Sequence, residues 1–101
     1  MAVIINKENF ESIVMQSDKT VLLDFYADWC PPCKLLMPVV EEISAENPDI
    51  TIGKINIDSE PELAEKFGVT TVPTLFVIKN GAVVSSSVGV KPKRAILEMV
   101  K

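Results

Sequence analysis

The spacing of apolar residues changes period several times along the chain, a pattern typical of alternating strands and helices. Apolar and β-rich runs predict five strands, at residues 2–5, 20–26, 50–57, 74–79 and 82–88. Apolar residues three and four apart predict helices at residues 7–16, 32–47 and 60–67, and a last helix opened by Pro92. The order βαβαβαββα predicts an α/β domain, with a central mixed sheet flanked by helices on both faces.

Local signals mark several boundaries of these elements. Asn6 is placed to cap the first helix, and Ser59 with Glu62 has the spacing of a capping box for the third. Asn80-Gly81 between two apolar runs predicts a two-residue hairpin. In the helix at 32–47, Pro38 predicts a kink. The residues expected on the buried side of that helix are Leu35, Leu36, Val39, Val40 and Ile43.

Length and composition limit the possible classes of protein. A chain of 101 residues is expected to form one domain, residues 1–101. Fourteen acidic and ten basic residues give a net charge of −4 without basic clusters, which argues against nucleic-acid binding. No apolar run approaches the roughly 20 residues needed to cross a bilayer. The start, MAVIINKENF, lacks the pattern of a signal peptide. We therefore expect a cytoplasmic protein with no membrane partner.

The chain has two cysteines, Cys30 and Cys33, at the predicted junction between the second strand and its helix. A helix start presents unpaired N–H groups and a positive dipole end, so Cys30, expected at the exposed lip, should ionise below the usual thiol value. Cys33, one turn inside, should be more buried. Pro32 disfavours the helical conformation at residue 31, so regular helix is expected from Pro32 or Cys33. Pro31 and Pro32 lack an N–H, so the Cys33 amide should be the main donor to a Cys30 thiolate.

The spacing of three lets the two sulfurs form a reversible disulfide. A purely structural disulfide is an alternative, although so short a loop removes little chain entropy. The absence of histidine excludes Cys-His and Ser-His mechanisms, and two cysteines cannot complete a zinc site within one chain. A metal or cluster bridging two chains, with four thiolates, stays open.

Asp24 interrupts an apolar strand between Leu23 and Phe25. Burial should raise its pKa and suit it to accept a proton from Cys33, directly or through a water. A strand-end or structural aspartate is the alternative. Lys54 could lean toward Asp24 and tune it, or be an ordinary surface lysine.

The motifs together resemble the thioredoxin family over essentially the whole chain. They are Asp24-Phe25-Tyr26-Ala27, Trp29-Cys30-Pro31-Pro32-Cys33, Pro38, Lys54, Asp58, Thr71-Val72-Pro73-Thr74, Asn80-Gly81 and Gly89. Asp58 itself is interpreted as a strand-end or turn residue. One departure is Pro31, where the usual turn WCGPC has glycine. WCPPC turns resemble those of tryparedoxins and nucleoredoxin-like proteins, which are also redox-active.

The resemblance implies the thioredoxin fold and a protein-disulfide reductase. Cys30 would be the nucleophile and Cys33 the resolving thiol of a redox-active disulfide, with Asp24 managing the proton of Cys33. Disulfide-containing client proteins and a thioredoxin reductase, NADPH- or ferredoxin-linked, would be the partners of a monomer. No bound cofactor and no metal are expected.

The resemblance also implies a cis Pro73 against the redox turn, with the backbone of Val72 open to pairing with a client strand. The expected client-binding residues are Trp29, Thr71, Val72, Pro73, Gly89 and Val90, and those expected to support the site are Trp29, Pro31, Pro32, Lys54 and Pro73. Rival functions are a disulfide oxidase or isomerase, a glutaredoxin-like enzyme, and a two-chain iron–sulfur carrier.

Overall fold

The computed structural model describes residues 1–101 and contains five strands in one sheet. The strands are β1 (Val3–Ile4), β2 (Thr20–Tyr26), β3 (Ile50–Asn56), β4 (Thr74–Lys79) and β5 (Ala82–Val88). The helices are α1 (Pro31–Glu46), α2 (Pro61–Lys66) and α3 (Lys93–Met99), with a π-helical segment at Glu11–Met15. None of the helices has the length and apolar character needed to cross a bilayer.

The sheet has the strand order β1-β3-β2-β4-β5. β1, β3 and β2 are parallel, whereas β4 and β5 are antiparallel to their neighbours. The predicted mixed α/β architecture is confirmed. β2 lies at the centre, and the five residues between its ends are all buried, as the continuous apolar run indicated.

Two apolar clusters lie on the two faces of the sheet. One joins α1 and α3 to the sheet, and its buried members are Leu22, Leu36, Val40, Ile43, Ile52, Leu75, Val77, Ile96 and Val100. The other lies under the π-helical segment and α2, and its buried members are Ile5, Phe10, Val14, Val21, Leu23, Phe25, Ile55, Leu63 and Ile78. Helices therefore cover both faces of the sheet. Leu35, expected on the buried side of α1, is instead 70% exposed, because it lies outside the stripe formed by the buried residues Leu36, Val40 and Ile43.

The prediction of an α-helix at residues 7–16 was partly wrong. Asn6 does cap its segment, since its Oδ1 accepts from the Asn9 N–H at 2.9 Å, but the turn at Glu11–Met15 is π-helical, with Gln16 N–H donating to Glu11 O at 2.9 Å. Apolar spacing reports the buried face, which Phe10 and Val14 do form, and does not distinguish a π turn from an α turn.

The capping box at Ser59 and Glu62 is absent. α2 begins at Pro61 after Glu60, which makes no side-chain cap, and the Ser59 N–H donates to Asn56 Oδ1 at 3.2 Å. Asn56 organises this turn instead, and Pro61 at the first helical position has no N–H that would need an acceptor.

The hairpin at Asn80-Gly81 is confirmed. Both residues have positive φ, 52° and 76°, and Lys79 pairs with Ala82 across the turn. Positive φ at both central positions is the geometry of a type I′ turn, which Asn-Gly favours.

Four strand ends meet at one end of the sheet, which is called this edge below. The parallel strands β2 and β3 end there side by side, with Tyr26 paired to Asn56. β4 begins at the same edge, where Thr74 pairs with both Phe25 and Val88, the last residue of β5. The loops after β2, β3 and β5 and the loop before β4 therefore meet at this edge.

Replacing Gly53 by alanine should lower the free energy of unfolding by about 1–3 kcal/mol. Gly53 lies in β3 between β1 and β2, and a Cβ there would stand 2.6 Å from Ile5 Cγ1 and 3.0 Å from Leu23 Cδ2, both fully buried side chains. Urea denaturation measures the loss. Ile5→Ala removes the clashing atom, so the double variant should lose less stability than the sum of the two single variants. Strict additivity would contradict the steric explanation.

Candidate active site

The disulfide Cys30–Cys33 lies at the start of α1, with the two Cα atoms 5.3 Å apart. Cys30 is the N-cap residue and has extended backbone angles, φ −103° and ψ 105°, as a residue before proline should. The helix begins at Pro31, one residue earlier than predicted, because the Lys34 N–H reaches the Cys30 carbonyl at 3.3 Å and closes the first turn. Proline tolerates this position since its missing N–H would have no partner there.

The Cys30 sulfur receives one backbone N–H. Cys33 N–H lies 3.2 Å from Cys30 Sγ, while Pro31 and Pro32 have no N–H and Lys34 donates to the Cys30 carbonyl. The donor set is therefore the Cys33 amide together with the positive end of the α1 dipole. Both favour negative charge on this sulfur.

Both sulfurs are shielded in this oxidised state. Cys30 is 3% exposed and Cys33 is 2% exposed, so the expected difference in exposure is absent. The cover over Cys30 includes Val72, whose carbonyl oxygen lies 3.7 Å from Cys30 Sγ, a contact and not a hydrogen bond because a disulfide sulfur carries no proton. Beside Cys33 a cavity of about 140 Å³ opens, lined by Tyr26, Ala27, Asp28, Cys33, Lys34 and Met37.

The segment before β4 lies directly against the disulfide. Val72-Pro73 is a cis peptide, as expected, and the Pro73 carbonyl accepts from the Gly89 N–H at 2.8 Å. This contact brings Gly89 beside Pro73. Thr71 is tied to the same loop because its carbonyl accepts from the Thr74 hydroxyl.

Glycine at position 89 has a conformational reason. Its φ is +91°, and a Cβ built there would meet no atom within 4 Å. Backbone conformation therefore favours glycine here, and crowding within the chain does not. Val90, the next residue, is exposed beside it.

Trp29 stands at the rim, 64% exposed, immediately before Cys30. Its Nε1–H donates to Asp58 Oδ2 at 2.8 Å. Asp58 lies in a turn, as expected, and the turn is held by Asn56, which no motif in the sequence marked. The signal that could have found them is the parallel pairing of β2 and β3, whose following loops must leave the sheet side by side.

Asp24 is fully buried, and neither of its carboxyl oxygens has a hydrogen-bond partner. It lies in β2 on the face of Leu22, the face that α1 and Cys33 cover. Burial raises its pKa from 3.8 to about 7, and the positive charge of Lys54 opposes part of that rise. Lys54 is its register partner in β3. This carboxyl therefore changes protonation near neutral pH.

Another ionisable group here is Tyr26, whose pKa is raised by burial and further by the negative charge of Asp28. No group of three or more His, Cys, Asp or Glu side chains is placed to hold a metal ion.

Comparison with known proteins places this site in a family. The sequence model of the family described as Thioredoxin matches residues 1–101. The chain belongs to the thioredoxin family.

Relatives named thioredoxin share much of the sequence. The protein from Bacillus subtilis (strain 168) is 51% identical over 85 residues, covering 83% of this chain and 82% of the relative. That of Streptomyces clavuligerus is 45% identical over 93 residues, 92% of this chain and 87% of the relative. That of Chlamydia trachomatis is 42% identical over 100 residues, 99% and 96% of the two chains.

Membership in the thioredoxin family and a Cys-x-x-Cys pair at disulfide distance make this chain a thiol–disulfide oxidoreductase with protein-disulfide reductase activity. The predicted family, fold and general activity are thereby confirmed. Thioredoxins act on disulfide-containing clients and are recharged by a reductase, so partners of these two general kinds are implied.

In this thioredoxin-family site, replacing Lys54 by methionine should raise the pKa of Asp24 further. The lysine charge favours the ionised carboxylate, and its removal leaves burial unopposed. Titration of the Asp24 carboxyl by carbon NMR measures the shift. Lys66→Met, which removes a charge near Phe10 on the other face of the sheet, is the matched control and should leave Asp24 unchanged. An Asp24 pKa that is unchanged or lower in Lys54→Met would refute the electrostatic interaction between Lys54 and Asp24.

Proposed function

We propose that the chain is a general reductant of protein disulfides in the cytoplasm, with Cys30 as the attacking thiol and Cys33 as the resolving thiol. The observation that carries this assignment is the donor geometry at the start of α1. Cys30 Sγ has the Cys33 N–H at 3.2 Å and the helix dipole behind it. Cys33 lies inside the first turn and has no comparable donor, so Cys30 ionises first.

The reaction is two successive thiol–disulfide exchanges. The Cys30 thiolate attacks one sulfur of a client disulfide, a mixed disulfide forms, and the second client sulfur leaves as a thiolate that takes a proton from solvent. Cys33 then loses its proton, attacks Cys30 Sγ and expels the first client sulfur. The client gains two electrons, and the Cys30–Cys33 disulfide forms.

Asp24 is the proton acceptor for Cys33, directly or through a water. Its carboxyl is buried, has no hydrogen-bond partner to occupy it, and has a pKa of about 7. A base is most effective when its pKa lies near the working pH, because both its protonation states are then accessible. Lys54 supports this role by moderating the rise in pKa.

Clients are recognised mainly through the backbone of Val72. The N–H of Val72 makes no hydrogen bond within the chain, and its carbonyl lies beside Cys30 Sγ. An extended client segment can pair with these groups, which selects for backbone and accepts many sequences. Thr71, Pro73 and Gly89 shape this strip, and the exposed side chains that complete the rim are those of Trp29, Pro31, Pro32 and Val90.

We further propose that residues 1–101 work as one monomeric domain with no bound cofactor, and that a thioredoxin reductase, NADPH- or ferredoxin-linked, regenerates the dithiol. The electrons come from that reductase, so the Cys30–Cys33 pair is itself the redox centre.

The test is catalysis of insulin reduction, with dithiothreitol as the electron source. The chain should accelerate the appearance of insulin thiols at substoichiometric concentration. Glutathione at matched reducing power should give much slower turnover, which separates this function from a glutaredoxin-like one. Glutathione-dependent turnover that exceeds the dithiothreitol rate, or a coloured dimer in place of a colourless monomer, would refute the proposal.

A further inference from the structure

The turn after β3 is held by one side chain, that of Asn56. Its Oδ1 accepts from the backbone N–H of Asp58 at 2.9 Å and of Ser59 at 3.2 Å. An amide oxygen that serves the amides two and three residues on is a side-chain mimic of a backbone turn. The Asn56 carbonyl also accepts from the Glu60 N–H at 2.9 Å. The position of Asp58 relative to the sheet is therefore set at Asn56.

Asp58 in turn contacts Trp29 through a hydrogen bond. Its Oδ2 accepts the indole Nε1–H at 2.8 Å. Because Trp29 is largely exposed, packing alone does not fix its ring, and a hydrogen bond to a charged acceptor supplies a directional restraint. The turn after β3 thus restrains the residue that precedes Cys30.

The amide nitrogen of Asn56 contacts the loop after β2. Its Nδ2 lies 3.4 Å from Asp28 Oδ2, and Asp28 immediately precedes Trp29. Tyr26 and Asn56 pair at the ends of the parallel strands, so the two loops leave the sheet together. One amide side chain contacts both loops that define the position of Trp29.

We propose that Asn56 is a positioning residue for client binding: it holds Asp58 and Asp28 so that the Trp29 indole keeps one orientation beside Cys30. Loss of Asn56 weakens the docking of protein disulfides and leaves the thiol chemistry of Cys30 and Cys33 in place. This inference rests on the proposed function in one respect, that clients dock against Trp29.

The direct readout is the indole N–H signal in a nitrogen–proton NMR spectrum. Trp29 is the one tryptophan of the chain, so this signal is unambiguous. Asn56→Ala should speed hydrogen exchange of the indole by about three- to tenfold, the size expected when one hydrogen bond is lost. Asn56→Asp keeps the oxygen that accepts from the Asp58 amide but replaces the Nδ2 donor to Asp28 with a carboxylate oxygen, so its exchange rate should lie between those of wild type and Asn56→Ala. Asn47→Ala removes a similar side-chain bond, to Ile43 O at the far end of α1, and is the matched control.

The kinetic readout separates docking from chemistry. In Asn56→Ala the KM for insulin should rise about three- to tenfold with kcat retained, because a flexible indole must be ordered on binding. The rate with hydroxyethyl disulfide, too small to span the rim, should change less than about twofold. Asn56→Gln displaces the amide oxygen by one methylene and should act in the same direction, so the test survives if Asn56→Ala does not fold.

In Asn56→Ala or Asn56→Gln, an indole exchange rate and an insulin KM that match wild type would overturn the proposal. Equal losses with insulin and with the small disulfide would also overturn it, since they indicate damage to the thiol site. If wild type itself fails to reduce insulin, the proposed function fails, while the NMR comparison still decides whether Asn56 positions Trp29.

Discussion

Cys30→Ser is expected to reduce protein-disulfide reduction to the uncatalysed background, a loss of about a thousandfold or more. A serine hydroxyl in this position stays protonated, since one N–H and a helix dipole cannot ionise it at neutral pH. Cys33 cannot substitute because it lies inside the first turn of α1, whereas Cys30 is the N-cap residue, and because it lacks the amide donor that Cys30 receives. The fold should persist, because a disulfide closing so short a loop removes little entropy from the unfolded chain.

Cys33→Ser is the matched variant, and it separates the two steps. Cys30 keeps its nucleophilicity, so the first exchange proceeds, but the mixed disulfide with the client has no internal thiol to resolve it. Mass spectrometry of the variant mixed with oxidised insulin should show a stable one-to-one adduct through Cys30. Cys30→Ser should form no such adduct. Adduct formation by Cys30→Ser, or full turnover by either variant, would contradict the assigned order of attack.

Asp24→Asn is expected to stabilise the protein at pH 8 by about 2–4 kcal/mol, although it slows turnover at neutral pH. The folded-state pKa of Asp24 is raised to about 7 from 3.8. Below about pH 4 the carboxyl is protonated in both states, so it imposes no penalty. Between about pH 4 and 7 the unfolded chain has released a proton that the folded chain retains. Stability therefore falls by about 1.4 kcal/mol per pH unit as pH rises, and the penalty is constant above pH 7.

Above pH 7 the buried Asp24 carboxyl lowers the free energy of unfolding by roughly 4 kcal/mol. Asp24→Asn should recover somewhat less than this, because the polar atoms of the new amide stay buried. Urea denaturation from pH 4 to pH 8 measures the difference, which should grow with pH and level off near pH 7. Asp18→Asn, an exposed acid at a turn, is the control and should show no such growth. A constant difference across this range, or destabilisation at pH 8, would show that Asp24 is not a high-pKa buried acid. Unchanged turnover would remove its role as proton acceptor.

Local sequence patterns predicted much of the fold and the redox-active cysteine pair. The continuous apolar run of β2 indicated a strand covered on both faces, and Asn80-Gly81 indicated a hairpin. The burial of Asp24 and its raised pKa could be predicted because one acid within an apolar strand has few alternatives to burial. The cysteine pair was readable because its spacing and its proline turn are local features.

Other features depend on neighbours distant in sequence. Asp58 meets Trp29 across 29 residues, and only the parallel pairing of β2 and β3 brings them together. Ser59 and Glu62 have the spacing of a capping box, but the Ser59 N–H donates to Asn56 Oδ1 and Ser59 belongs to the turn before α2. The shielding of Cys30 depends on Val72, 42 residues away. Apolar spacing predicted Leu35 on the buried side of α1, but the helix packs through the stripe of Leu36, Val40 and Ile43.

Pro31 affects the reduction potential because it limits the number of N–H donors to the Cys30 sulfur. Strong disulfide oxidants owe their potential to a dithiol form that is stabilised, largely through a low-pKa thiolate. Here Pro31 and Pro32 leave the Cys33 amide as the single backbone donor to Cys30 Sγ. A thiolate with few donors is stabilised less, which keeps the reduced form a good electron donor.

The reduction potential of the Cys30–Cys33 pair is therefore the most direct measurement, made by equilibration in thiol–disulfide buffers with trapping of the free thiols. We expect a value near or below about −270 mV, the reference value for thioredoxin. A value between about −180 and −120 mV, in the range of isomerase and DsbA-type proteins, would contradict it. The chain would then oxidise or isomerise client disulfides instead of reducing them.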